Sequence, residues 1–219
     1  MTTLSDLRIL DLSTGFAGAY CSHVFASYGA DVIMIEPLSG GPVRTDAHSW
    51  SVLGSGKQSI SLDVTNASGR SIFRKLVEGA NVVIETFPPG RMDSLGLGFA
   101  DLHGIKRRII LTSITGAADS ADHIAGLNAF AATAIAAHNA DAYEVPQHIE
   151  IDSAECLSSA FAAGPFESAA PGQALFEMSE VASSPGQPPA LGEHTVPILC
   201  AELGFAPNDL PILRANGAI

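Results

Sequence analysis

Three stretches of the chain hold residue types at spacings that could do chemistry. Ser13-x-Gly15-x-x-Gly18 follows a short apolar run, and Glu36 ends the next one. This nearly copies a dinucleotide fingerprint, in which glycines let the backbone approach a pyrophosphate at a helix N-terminus. Ser13 stands where the first glycine belongs, so two readings stay open: glycines for close helix–sheet packing, or binding of a nicotinamide dinucleotide. Gly54-Ser-Gly-Lys57-Gln58-Ser59 invites comparison with a phosphate-binding P-loop. Its spacing fails, because no glycine stands five residues before Gly56 and Gln58 takes the metal-binding hydroxyl's place. Lys57 still precedes an expected strand, where its ammonium could meet a phosphate or simply be solvated. In Thr86-Phe87-Pro-Pro-Gly90-Arg91-Met92, Phe87 offers a flat face for a purine, Arg91 a fork for phosphate and Met92 an adaptable apolar wall.

The elements needed to position these residues are legible from periodicity. RILDL (8–12) and DVIMIE (31–36) are apolar runs of strand length, and between them Ala17, Tyr20, Cys21, Val24, Phe25 and Tyr28 recur at steps of three and four. Strand, helix and strand within so few residues define a parallel crossover unit, with Gly29 at the helix stop. Residues 37–56, rich in Gly, Pro and Ser, read as a long surface loop. Ser59–Asp63 is a strand; Thr65 or Asn66 caps a helix with Ile72, Phe73, Leu76 and Val77 inward. NVVIE (81–85) and Arg108–Ile114 supply two more strands, and the Pro-rich turn after Glu85 starts a short helix. The alternation specifies an α/β fold: a Rossmann-like, doubly wound parallel sheet with flanking helices, with ligands at the strands' carboxyl ends. Beyond Gly116, 121–138 is Ala-rich and helical, QHIEID (147–152) alternates like a strand, and Ser153–Ala163 reads as a helix with Ser153 as cap. The expected organisation is one domain over 1–163, a tether at 164–190 dense in Pro, Gly, Ser and Ala, and a helical segment at 191–219 packing on the same domain.

Of the 219 residues 47% are hydrophobic and 16% charged, which excludes wholesale disorder. Eleven Lys and Arg face 23 Asp and Glu, for a net charge of −12. Residues 1–108 are balanced, and residues 109–219 carry the whole excess, with no Lys or Arg from Ile109 to Leu213. A polyanionic ligand must therefore be held by the first half, and duplex nucleic acid is not an expected partner. The seven His are scattered, and Cys21, Cys156 and Cys200 form no Cys-x-x-Cys pair, so neither a metal site nor a disulfide framework is expected. No apolar run approaches the roughly 20 residues that span a bilayer, and MTTLSDLRIL lacks the pattern of a secretion signal. The expected location is the cytoplasm, without membrane attachment.

Taken together, ILDLSTGFAGAYCSHVFASYGADVIMIEP, GKQSISLDV, ANVVIETFPPGRMDSLGLGFADL and RRIILTSITG resemble class III CoA-transferases in order and spacing. That family includes formyl-CoA:oxalate and carnitine CoA-transferases and the related alpha-methylacyl-CoA racemases. The similarity covers residues 5–116, resumes at Asp122–Ala163 and returns at Leu191-Gly-Glu-His-Thr195. It implies transfer of CoA between an acyl-CoA and a small carboxylic acid, with CoA or acyl-CoA bound as substrate and the protein working as a homo- or hetero-oligomer. Carried over by position, it places Phe16 and Ala17 on the turn near CoA, and Lys57 in the family's Lys-Arg-Ser element with Gln58 in place of Arg. It puts Thr86, Phe87, Arg91 and Met92 on the adenine- and phosphate-contacting loop, and makes Arg44 a further candidate cation. The family nucleophile is an Asp that forms a mixed anhydride; Asp119 and Asp122 are the carboxylates in the corresponding interval, which is much shorter here. The resemblance also implies a second, smaller domain, whose place the 164–190 tether takes. Three readings follow: a CoA-transferase or acyl-CoA racemase-like enzyme, a non-catalytic CoA-binding or partner subunit, and an NAD(P)-binding oxidoreductase.

Overall fold

Four of six short strands carry nearly continuous apolar runs, the pattern of a sheet covered on both faces, and the two at its edges are more polar. In the computed structural model, which describes residues 4–116, 121–162 and 187–219, the six are β1 (Arg8–Asp11), β2 (Asp31–Glu36), β3 (Gln58–Ser61), β4 (Val82–Glu85), β5 (Ile110–Thr115) and β6 (Gln147–Asp152). They form one parallel sheet in the order β3-β2-β1-β4-β5-β6. Leu10 pairs with Ile33 on one side and with Val83 on the other. The chain thus winds outward in both directions from β1, and a crevice opens at the carboxyl ends of β1 and β4.

Helix α1 (Phe16–Ser27) follows β1, and α2 (Ala47–Leu53) and α3 (Ala67–Gly79) flank β3. Then α4 (Arg91–Ser94) and α5 (Phe99–Ile105) follow β4, and α6 (Asp122–Tyr143) and α7 (Ser153–Ala162) flank β6. Side chains from α3, α4 and α5 share one apolar layer with the sheet, and those from α1 and α6 form the other. On α3 the inward stripe Ile72, Phe73, Leu76 and Val77 is at most 3% exposed, worth about 1.5–3 kcal/mol for each side chain. The buried face of α6 is made of small residues, Ala125, Gly126, Ala129, Thr133, Ala136, Ala137 and Ala140, which lets α6 lie close against α1. A Cβ on Gly126 would stand 2.6 Å from the Ala17 carbonyl oxygen.

Two local expectations are corrected and a third is narrowed. Residues 37–56 are not a plain loop: a 3-10 turn spans Pro42–Thr45, and the Asp46 carboxylate accepts from the His48 and Ser49 amides to start α2. The cap of α7 is Asp152, accepting from the Ala154 and Glu155 amides, and Ser153 is the first residue of the helix. Of the two candidates for the α3 cap, Asn66 serves, accepting from the Ser68 amide. Most of the expected tether lies outside the described residues.

The last described segment returns to the sheet. The Ser59 amide donates to His194 Nδ1 (3.2 Å), the His194 amide to the Ser59 carbonyl (2.9 Å) and the Ser61 amide to Thr195 Oγ1 (3.0 Å). The Leu191–Thr195 element therefore satisfies the outer edge of β3, which would otherwise present unpaired donors. Past it, Ile198, Leu199 and Leu210 join the α3-side core.

Candidate functional site at the strand ends

The turn after β1 is built from the inside. Asp11, at the end of β1, is 3% exposed, and its Oδ1 accepts from the Ser13 amide (2.9 Å) and hydroxyl (2.5 Å). Its Oδ2 accepts from Ser22 Oγ and lies 3.4 Å from Lys57 Nζ. The ammonium of Lys57 donates to Ser22 Oγ (2.6 Å) and to the Ala19 carbonyl (2.8 Å). Burial pulls the Lys57 pKa below its ordinary value, and the Asp11 carboxylate offsets part of that pull. The neighbouring Cys21 thiol is pushed up, chiefly by burial and also by Asp11.

The turn is locked to the next strand end. The Thr14 amide donates to Thr86 Oγ1 at 2.8 Å. Gly18 lets α1 settle over this junction: a Cβ there would lie 2.3 Å from Ser13 Cβ and 2.9 Å from Thr86 Cγ2. The Ser13–Gly18 pattern thus has a packing function. Glu36, which a dinucleotide reading would hold ready for a ribose, is occupied: Arg44 donates to both its carboxylate oxygens at 2.6 Å, and Ser59 Oγ donates at 2.5 Å. The Arg44 guanidinium also bonds the Pro189 carbonyl and lies 3.9 Å from the centre of a Trp50 ring.

Two clefts meet over this scaffold. The first, about 570 Å³, is lined by Thr14, Phe16, Ala17 and Thr86–Pro89, by Pro42, Val43, Asp46 and Ser49, and by Ile114–Gly116 and Asp122. The second, about 440 Å³, lies between Leu12, Ile35, Leu38, Leu62 and Val64 on one side and Phe87, Arg91 and Leu95 on the other. Thr14 and Phe87 belong to both. Gly90, with φ +78°, turns the chain so that α4 begins at Arg91. The Arg91 guanidinium is exposed and meets no carboxylate among the described residues.

The structure sorts the expected site residues. Phe16, Ala17, Thr86 and Phe87 line the first cleft with Asp122, and Phe87 and Arg91 line the second. Three others lie away from the clefts' open surface. Lys57 is enclosed with Asp11, because its side chain enters the interior beneath α1 rather than leaving it. Arg44 is chelated by Glu36. Met92 is 5% exposed and packs into the α3-side core instead of walling a cleft. Asp119 lies outside the described residues. Asp122 opens α6 as its first residue after Ala121 and lines the first cleft. Sequence reasoning missed Thr14, Pro42, Val43, Asp46 and Ser49, although Asp46 three residues before Ser49 is a helix-start signal. Among the described residues no group of three or more His, Cys, Asp or Glu is placed to hold a metal ion. None of their helices is long and apolar enough to cross a membrane.

The parallel sheet, its order and the crevice at its reversal point define an open, Rossmann-type α/β protein with a cleft at the strand ends. Residues 4–120 match CoA-transferase family III, and the chain belongs to that family. It is 33% identical over 122 residues to the succinyl-CoA–D-citramalate CoA-transferase of Chloroflexus aurantiacus, covering 52% of this chain and 30% of that one. It is 34% identical over 124 residues to the formyl-CoA:oxalate CoA-transferase of Escherichia coli O6:H1, with 52% and 30% covered. The succinyl-CoA:(R)-benzylsuccinate CoA-transferase subunit BbsE of Thauera aromatica is 32% identical over 123 residues, with 51% and 30% covered. The matched part is thus under a third of these relatives' length. Among solved structures, a CAIB/BAIF family protein from Brucella suis aligns with a TM-score of 0.70 at 26% identity, covering 74% of this chain and 56% of that one. A hypothetical protein (Rv3272) from Mycobacterium tuberculosis aligns with a TM-score of 0.70 at 21% identity, over 74% and 58%.

Proposed function

We propose that the chain binds the CoA portion of an acyl-CoA across the two joined clefts and takes part in transferring CoA to a small carboxylic acid. One observation carries this reading: the clefts meet at Thr14 and Phe87, with the unpaired Arg91 cation on one and the Asp122 carboxylate on the other. The apolar walls of the second cleft, Leu38, Leu62, Val64 and the Phe87 ring, suit a purine, and the Arg91 fork beside them suits its phosphates. The amides opening α1 at Phe16 and Ala17 add positive potential where the ligand crosses between clefts. The thioester end then lies in the first cleft, near Asp122. The names of the relatives, which act on succinyl-CoA or formyl-CoA, support the same ligand class.

In the reaction this site suits, a carboxylate oxygen attacks the thioester carbonyl, the C–S bond breaks and CoA leaves as thiolate. The acyl group remains on the enzyme as a mixed anhydride. Asp122 and Asp119 are the candidate nucleophiles. Intact-protein mass after incubation with acyl-CoA and hydroxylamine tests this: an active-site anhydride becomes a hydroxamate, and D122N or D119N abolishes the adduct for whichever residue acts. An adduct that survives both substitutions excludes both carboxylates.

A second reading, a CoA-binding subunit that completes its catalytic site with a partner, is favoured by the Thauera relative, itself named as a subunit. CoA binding without any adduct on the isolated chain, followed by turnover on addition of the partner, distinguishes it. An NAD(P)-dependent role is not proposed, because Glu36 is chelated by Arg44.

A further inference from the structure

Among the described residues, both ionisable side chains that line the first cleft are carboxylates, Asp46 at the start of α2 and Asp122 at the start of α6. Asp46 is held as a carboxylate: the Ser49 hydroxyl and the Ser49 and His48 amides donate to it, and its pKa lies below the ordinary value. The rest of the lining is largely apolar, with Phe16, Val43, Pro88 and Ile114 among neutral Ser and Thr hydroxyls. Basic side chains close by in sequence are directed elsewhere. Arg44, two residues before Asp46, is held by Glu36, and Lys57 is enclosed with Asp11. His48 and His123 neighbour the two carboxylates in sequence without joining the lining, and the His123 ring packs on Phe16 and Tyr20 at 4.4 and 5.0 Å. The residues outside the described ranges contain no Lys, Arg or His.

Two effects oppose each other at this wall. The amino ends of α1 and α6 both open on the cleft, each with a helix dipole equivalent to about half a positive charge. Against their sum stand two full negative charges, so the carboxylates set the sign. We propose that the first cleft selects acyl groups without a second carboxylate: apolar or cationic chains enter, and dicarboxylic acyl groups are repelled. A terminal carboxylate would lose hydration against the apolar walls and meet like charge instead of a partner. An alkyl chain loses no polar contact and gains apolar burial. The selection rests on the reading above, which puts the thioester end in this cleft.

Calorimetric titration with three CoA thioethers of similar length tests it: S-propyl-CoA, S-(2-carboxyethyl)-CoA and S-(2-aminoethyl)-CoA. Their tails are neutral, negative and positive, and without a thioester none can transfer an acyl group. Mildly alkaline pH keeps ordinary imidazoles neutral. At low salt the carboxyethyl compound should bind about tenfold more weakly than the propyl compound, and the aminoethyl compound at least as tightly as the propyl one. The gap should shrink as salt screens the charges. Asp46→Asn, in which Asn still caps α2, and Asp122→Asn should each lower the ratio of the carboxyethyl to the propyl dissociation constant. The double variant should bring that ratio near one. Equal wild-type affinity for the propyl and carboxyethyl compounds overturns the selection, and so does a ratio that survives both substitutions; the CoA reading stands in either case if CoA itself binds. If neither CoA nor any thioether binds, the CoA reading fails and the selection fails with it.

Discussion

Lys57 shows how far a residue type reaches and where context takes over. A lysine just before a strand announces a cation that could meet a ligand phosphate. The sequence does not reveal that Asp11 and Ser22, from elements 46 and 35 residues away, form the anionic pocket that draws it inward. Arg44 repeats the pattern with Glu36. Arg91 opens the single-turn helix α4 and stays exposed at the rim of the second cleft. Lys57→Met should leave Asp11 buried without its cation and lower stability by about 3–5 kcal/mol. Denaturant melts check this, and an unchanged midpoint contradicts it.

At the scale of elements, strands and long helices were readable because each buries a face with its own period. Core strands show as DVIMIE and NVVIE, and α3 as its Ile72–Phe73–Leu76–Val77 stripe. Helix α2 was hidden: among Ala47–Leu53 only Leu53 is buried, so no apolar stripe marks it, and its Asp46 cap was the one available signal. The Leu191–Thr195 element looked like a family signature, and its physical role, closing the edge of β3 with side-chain acceptors, needed three dimensions to appear. Gly18 belongs to this scale too, since its missing Cβ sets how closely α1 approaches Ser13 and Thr86. Gly18→Ala should cost about 1–3 kcal/mol by overpacking. It should also weaken CoA binding by displacing the α1 amides, as a paired thermal melt and titration would show. A variant with wild-type melting and affinity refutes the packing argument.

Over the whole molecule, the balanced charge of the first half and the acidic second half divide the work: the exposed Arg91 comes from one and Asp122 from the other. Stability should depend on pH through His23 of α1, whose pKa burial, with Lys57 nearby, lowers to about 4. Because the folded value lies below the unfolded one, the unfolded chain binds more protons between them. The His23 contribution is complete above about pH 6.5 and falls by about 1.4 kcal/mol per pH unit as pH drops toward 4. Melts across that window check it: His23→Leu should flatten the slope, and an unchanged slope refutes the assignment. The central claim, that the joined clefts receive CoA, is tested most directly by calorimetric titration of the chain with CoA, repeated with Arg91→Ala. The account predicts saturable binding to the wild type, about tenfold weaker binding to R91A at an unchanged melting temperature, and a loss that shrinks as salt screens the charge. Equal affinity in both proteins, or no binding to either, would contradict it.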